Sequence, residues 1–304
     1  MRLGIMLLGG GPSVSELLAR IERAEEQGFQ SIWLPNVRGA DALTVLALAG
    51  GRTSRIELGT FVVPTYPRHP AALAQQALTT QVATGGRLVL GIGLSHRVTM
   101  ADALGFDFDH PIRHMRDYLR TLGPLMTGEP VEYSGPEIRI NGYQISVPGA
   151  TPPPVLVAAL GPQMLRLTGT LADGTAIWMG GARYLSEHAV PIITAAAREA
   201  GRSAPRIVAG LPLCVTANAA AARDFANQTY ARYGQLPSYR AVLDKNDAAL
   251  PADAALIGTA AEVRAGLDAL ASAGATDFAA SVFAPPGEDT AATFALLREY
   301  AGQP

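Results

Sequence analysis

The sequence predicts an α/β protein: a closed (β/α)8 TIM barrel carrying two insertions. Three observations lead there. Short apolar runs alternate with helical segments along almost the whole chain, and a repeated strand-then-helix order makes a parallel sheet. Eight such units fit within 304 residues, which favours closure into a barrel over an open sheet. No low-complexity linker cuts the chain, so residues 1–304 are read as a single domain.

Residues 3–8 read as a buried first strand. A helix follows at 13–27, with Ser13 as cap and apolar residues at Val14, Leu17, Leu18, Ile21 and Ala24, and Gly28 ends it. Residues 30–34 form the next strand and 42–49 the next helix. A strand at 55–63, a helix at 70–83 with proline in its first turn, and a strand at 88–93 follow. Helical patterns then occupy 98–104 and 113–126. Between 136 and 148 the pattern changes to a β-hairpin outside the barrel, with Asn141-Gly142 as its turn. Strands at 154–159, 177–179 and 207–215 resume the barrel, with helices at 162–172, 184–200 and 219–233. Residues 235–255 read as an irregular lid over the site. A helix at 260–273, a strand at 277–283 and a helix at 290–300 close the chain. Arg38 and its neighbours, and residues 159–161, then fall at the carboxyl ends of strands, the face where barrel active sites lie.

Composition narrows the function. Hydrophobic residues make up 48% of the chain and charged residues 16%, so a large core is available and disorder is excluded. The formal charge of −2 offers no basic field for nucleic acid or an anionic membrane. The single cysteine, Cys214, excludes an internal disulfide and a cysteine-rich metal site, and fits a reducing cytoplasm. Lys245 is the only lysine against 23 arginines, the usage of a GC-rich genome. The apolar start is too short for a signal peptide, and no apolar run reaches the ~20 residues that span a bilayer.

Several motifs are absent or incomplete. Lys245 lies in no phosphate-binding Gly-x-x-x-x-Gly-Lys loop. His110 and His114 stand one helical turn apart without a carboxylate pair to complete a metal site, which leaves them a solvated or capping role. Gly9-Gly10-Gly11 lacks dinucleotide-binding spacing and reads as a tight loop. Gly93-Leu94-Ser95-His96-Arg97 misses the nucleophile elbow by its last glycine, so an acyl hydrolase built on Ser95 stays as an alternative; His188 as its base would sit in a helix far from any strand end.

Other stretches are far more specific. Asp41-Ala-Leu-Thr-Val-Leu-Ala-Leu-Ala, then Thr53-Ser-Arg-Ile-Glu-Leu-Gly-Thr-Phe-Val-Val-Pro-Thr-Tyr-Pro-Arg-His-Pro, then Gly85-Gly-Arg-Leu-Val-Leu-Gly-Ile-Gly follow one another. Residues 24–33, 158–162, 172–174 and 273–277 continue the pattern in order along nearly the whole chain. Together they resemble the bacterial luciferase-like family of flavin and deazaflavin oxidoreductases. The run from Val63 to Pro70 and the GC-rich usage lean toward its coenzyme F420 branch, the relatives of methylenetetrahydromethanopterin reductase. FMN is the rival cofactor.

The residues agree with what the resemblance implies. Leu160-Gly161-Pro162 ends a strand and starts a helix whose free N–H groups and dipole suit a phosphate, carried by both FMN and the deazaflavin. The resemblance implies a bulge with a non-prolyl cis peptide at Phe61–Val62, against which the cofactor's tricyclic ring bends. Gly91 and Gly93 read as leaving room for that ring. His96, just past the fourth strand, is either a proton donor or acceptor beside the hydride-transfer centre or a loop histidine with a backbone partner. Asn36 ends the second strand, where relatives carry Asp or Asp-His. Here Val37 follows it, which argues against sugar-phosphate oxidation. The resemblance thus assigns His96 and Asn36 to catalysis. It assigns Thr60, Phe61, Val62, Ser95, His96, Thr99, Ala159, Leu160, Gly161 and Gln163 to cofactor binding, and no residue to a metal. Arg38 and Arg97 are candidates for an anionic cofactor tail. The expected protein is a homodimeric F420-dependent oxidoreductase that moves a hydride to an activated C=C or C=N bond of a small substrate. The alternatives are an FMN-dependent monooxygenase and the hydrolase.

Overall fold

The computed structural model describes residues 1–7 and 11–302. Eight parallel strands close on themselves: β1 (Arg2–Met6), β2 (Ser31–Leu34), β3 (Glu57–Thr60), β4 (Leu88–Gly93), β5 (Val155–Val157), β6 (Gly174–Trp178), β7 (Arg206–Val215) and β8 (Asp277–Val282). Each pairs with its sequence neighbours, and β8 returns to β1 with Arg2 opposite Asp277. Closure leaves the barrel without free edges.

Helices clothe the outside, and their starts are written in the sequence. α1 (Val14–Glu26) opens on a capping box in which Ser13 and Glu16 satisfy each other's backbone N–H. α2 (Ala42–Gly50) is capped by Asp41, and α3 (Pro70–Ala83) by His69 with proline in its first turn. α4 (Pro111–Thr127), α5 (Pro162–Leu171) and α6 (Val190–Glu199) follow β4, β5 and β6. After β7 the chain inserts α7 (Ala219–Thr229), α8 (Ala231–Gln235) and α9 (Pro237–Lys245). α10 (Ala260–Ser272) and α11 (Ala291–Ala301) complete the ring.

A column of aromatic rings fills the barrel. Trp33 is fully buried, and Phe61 meets it edge-on at 6.1 Å. Glycines in the facing strands make the space: a Cβ on Gly59 would lie 2.3 Å from the Trp33 ring, and one on Gly210 2.9 Å from Phe61. Below the column the strand starts carry a charged plug. Arg206 reaches Asp277 and Glu57 at 2.5 Å each, and Arg2 reaches Glu57 at 2.7 Å. The Arg206 guanidinium also lies over Trp33 at 5.5 Å. Burial alone would lower the Arg206 pKa; Asp277 and Glu57 outweigh it and raise it.

Several expectations from the sequence need correction. The hairpin exists, but its strands are Val131–Ser134 and Arg139–Tyr143. Asn141-Gly142 is not its turn: Gly142, at φ 62°, is the extra residue of a bulge in the second strand. The true turn is held on α4, where Asp117 accepts from Tyr133 Oη and Glu137 N. The lid is not irregular, because Pro237 sits at the first turn of a regular helix and Pro251–Asp253 forms a 3-10 turn. The helix expected at 219–233 breaks at Tyr230, and that at 98–104 shrinks to Arg97–Met100. The third strand stops at Thr60, and Val63–Pro64 pairs separately with β4. The sixth strand runs from Gly174 to Trp178, and Met179 leaves it at φ 63°. His114 is not solvated: it stacks on Tyr66 at 3.9 Å and bonds Thr65 Oγ1 at 3.0 Å. Leu8, Gly9 and Gly10 lie outside the described residues, so the glycine loop and the strand's last expected residue do too.

Two substitutions test this interior. Gly59→Ala forces a methyl into the Trp33 ring and should cost about 1–3 kcal/mol. Asp277→Asn leaves Arg206 half-paired at a buried site and should cost about 3–5 kcal/mol. Chemical denaturation of each variant reads both.

Candidate active site

The aromatic column stops at Phe61, and above it a cavity of about 810 Å³ opens at the carboxyl ends of the strands. That size suits a cofactor or a small ligand. Each wall comes from a different connection. The loop after β2 contributes Asn36 and Arg38, the segment after β3 Phe61 and Val62, and the loop after β4 Ser95, His96 and Thr99. The β5–α5 turn contributes Leu160, Gly161 and Gln163, β6 Trp178, and the insertion Arg232, Tyr233, Ser238 and Tyr239.

The Phe61–Val62 peptide is cis. Thr60 fixes this corner from beneath: its hydroxyl donates to Gly91 O at 2.7 Å and accepts from Gly91 N at 2.8 Å. Gly91 serves this corner, and Gly93 both packs against it and lines the cavity. A Cβ on Gly91 would strike Thr60 O at 2.0 Å, and one on Gly93 would strike Val62 at 2.6 Å.

Helix α5 starts at Gly161 with no side-chain cap and with Pro162 in its first turn. Its first backbone bond runs from Leu165 N to Gly161 O at 2.9 Å. A Cβ on Gly161 would meet nothing within 4 Å, so the backbone there is open to approach. The buried Tyr184 hydroxyl holds the turn by donating to Leu160 O at 2.6 Å. An uncapped helix start facing a cavity is an anion-binding arrangement.

His96 is half-buried and tilts against Tyr239 at 5.6 Å. Burial, and secondarily the Arg232 charge, push its pKa below the usual 6.5, so the neutral imidazole is favoured. Burial pushes the Tyr233 and Tyr239 hydroxyls up, so both stay protonated. Among the described residues no Asp or Glu lines the cavity, and Arg38 and Arg232 form no ion pair. The cavity therefore carries positive charge alone and suits an anion.

Of the residues expected from the sequence, His96, Asn36, Phe61, Val62, Ser95, Thr99, Leu160, Gly161 and Gln163 meet around this cavity. Thr60 and Ala159 do not; both are fully buried behind its wall. Asn36 Oδ1 is committed to Ala42 N at 2.8 Å, at the start of α2. Arg97 turns away to Asp109 at 2.8 Å. Ser95 has φ 61° and lines the cavity, but no carboxylate there orients His96, and His188 does not reach the cavity. A hydrolytic triad is thus incomplete among the described residues. Sequence reasoning missed Trp178, Arg232, Tyr233 and Tyr239. Trp178 ends a barrel strand, a position that could have marked it. The others lie on the insertion, where the Tyr230–Tyr239 stretch is unusually aromatic.

The sequence profile of the luciferase-like monooxygenase family matches residues 1–277. The chain belongs to this family. Among its relatives is the 5,10-methylenetetrahydromethanopterin reductase of Methanolobus tindarius, 29% identical over 224 residues, covering 73% of this chain and 68% of that one. The coenzyme F420-dependent tetrahydromethanopterin reductase of Methanopyrus kandleri shares the fold at a TM-score of 0.77 and 22% identity, covering 98% and 97% of the two chains. The oxygenating component of 3,6-diketocamphane monooxygenase of Pseudomonas putida, solved with FMN, shares it at 0.74 and 18%, covering 99% and 97%. Luciferase-like barrels thus include both deazaflavin- and FMN-linked proteins. Among the described residues no helix is long and apolar enough to cross a membrane, and no His, Cys, Asp or Glu cluster could hold a metal.

Removing the Arg232 charge should relieve the like-charge repulsion on His96. In Arg232→Gln the His96 pKa should rise toward its ordinary value without reaching it, because burial remains. Ring-proton NMR titration of the five histidines measures this.

Proposed function

We propose that this chain is a coenzyme F420-linked oxidoreductase that exchanges a hydride with a small organic substrate. The observation that carries the reading is the cavity's charge. An uncapped helix start and the exposed, unpaired Arg38 face a space that no carboxylate lines among the described residues, as an anionic cofactor requires. Family membership by itself admits both cofactors; the methylenetetrahydromethanopterin reductase relatives support the choice of deazaflavin over FMN.

When bound, the deazaflavin supplies or accepts the hydride. The protein's part is positioning and proton handling. Phe61, Val62, Ser95 and Thr99 would face the ring, and Leu160, Gly161 and Gln163 would hold the phosphate. Asn36 would brace the loop after β2 through Ala42. His96 would exchange the proton that accompanies the hydride. The preferred direction is reduction of an activated C=C or C=N bond, with the proton delivered by His96. Residues 1–304 would act as one domain, paired with a second copy by the resemblance.

Fluorescence titration of the purified protein should give measurably tighter binding of deazaflavin than of FMN. Tight FMN binding with no deazaflavin binding would overturn the reading in favour of a monooxygenase. His96→Ala should lower turnover about 10²–10⁴-fold. Reduction should also slow as pH rises through the His96 pKa. Because that pKa is lowered, the decline should be centred below pH 6.5 and vanish in the variant. Unchanged turnover in His96→Ala would assign the proton to water.

A further inference from the structure

The proposed cofactor seat uses the walls after β3, β4 and β5. The remaining wall has a different chemistry. Trp178 meets Tyr233 edge-on at 5.8 Å, Tyr233 meets Tyr239 edge-on at 4.9 Å, and Tyr239 tilts against His96 at 5.6 Å. All four line the cavity. The row is held in place from outside: Asn246, at the end of α9, accepts from Tyr184 N at 3.0 Å, and Asp247 pairs with Arg183 on the loop after β6. Arg232 stands beside Tyr233 on α8 and forms no ion pair among the described residues. Its charge, and not that of Arg38, bears on His96.

Such a wall selects. Ring edges and faces favour a flat, unsaturated ligand. An unmatched guanidinium favours a carboxylate, which it can grip with two parallel hydrogen bonds. A cationic substrate would meet only like charge, with no carboxylate lining the cavity to offset it. Resting on the reading above, we propose that the substrate is a planar organic anion, an aromatic or conjugated carboxylate, gripped by Arg232 and laid along Trp178, Tyr233 and Tyr239. This arrangement puts the conjugated part of the molecule beside His96.

The test uses trans-cinnamate as the anionic probe and cinnamamide as its neutral counterpart, with and without deazaflavin. Calorimetry should show cinnamate binding about tenfold or more tighter than cinnamamide. High salt and Arg232→Gln should each abolish that preference, whereas Arg38→Gln should keep it. In ¹⁵N-labelled protein, cinnamate should move the indole N–H signal of Trp178 and leave that of the buried Trp33, the only other tryptophan, unmoved. Equal affinities for the two probes in the unmodified protein would overturn the proposal. So would loss of the preference in Arg38→Gln alone. An Arg232→Gln variant that weakens deazaflavin binding but keeps the cinnamate preference would also overturn it, by assigning Arg232 to the cofactor's anionic tail. Failure of the cofactor reading is distinct: deazaflavin would not bind, while the Arg232-dependent preference for cinnamate would persist and uphold the anion subsite.

Discussion

The constraint on which this molecule depends is the filling of the barrel by Trp33 and Phe61. The two large rings share the barrel interior with Met6, Val89, Leu156 and Val208. They fit because Gly59 and Gly210 present no Cβ to them. The column ends at Phe61, whose upper side faces the cavity. The floor of the site is therefore the top of the core. Packing and ligand space are set by the same residue, and the Thr60–Gly91 hydrogen bonds lock its height.

Charge is divided along the barrel axis in the same way. At the strand starts, Arg2 and Arg206 are matched by Glu57 and Asp277. At the strand ends, the exposed Arg38 and Arg232 face a cavity that no carboxylate lines among the described residues. Matched charges below stabilise a buried junction of four strand starts, since each guanidinium has its partner. Unmatched charges above leave a positive field at the cavity mouth, where both guanidiniums are exposed and salt screens their attraction for an anion. A ligand, rather than the protein, completes the upper pairing.

The sequence made the barrel legible because alternation of apolar runs and amphipathic helices is a local signal, repeated eight times. The ends of strands followed from it, and with them the parts of the cavity wall that follow β2 to β5. What stayed hidden was non-local. Thr60 and Ala159 lie in the right segments, yet along a strand successive side chains point to opposite faces, and both of these are buried behind the wall. Gly91 and Gly93 looked like space for a ring, but Thr60 of the neighbouring strand takes the space at Gly91, and only Gly93 of the pair lines the cavity. Asn141-Gly142 carries the usual turn signal, and Gly142 spends its positive φ on a bulge because Asp117 of α4 fixes the turn elsewhere. The insertion was hardest. Pro237 and the aspartates of this stretch read as irregular, although proline is over-represented at the first position of a helix, which is where Pro237 sits. Its helices α8 and α9 carry the two tyrosines of the aromatic row, so the wall least visible in the sequence is the one that distinguishes this cavity.

The proton chemistry of the cavity is narrow. Its titratable lining consists of His96, two tyrosines and two arginines. Burial keeps the tyrosine hydroxyls protonated, and guanidinium does not release a proton in this range. His96 is the one lining group that changes charge near neutrality, and it is biased toward the neutral form. The imidazolium donates a proton and the neutral imidazole accepts one, so His96 can serve either direction of a hydride transfer. Its protonated form must arise beside Arg232, a like charge. A carboxylate ligand on Arg232 would cancel that repulsion and make the imidazolium easier to form. Substrate binding and proton supply would then be coupled through one arginine: an anionic substrate would raise the acidity reserve at His96 at the moment it arrives, and a neutral analogue of the same shape would not.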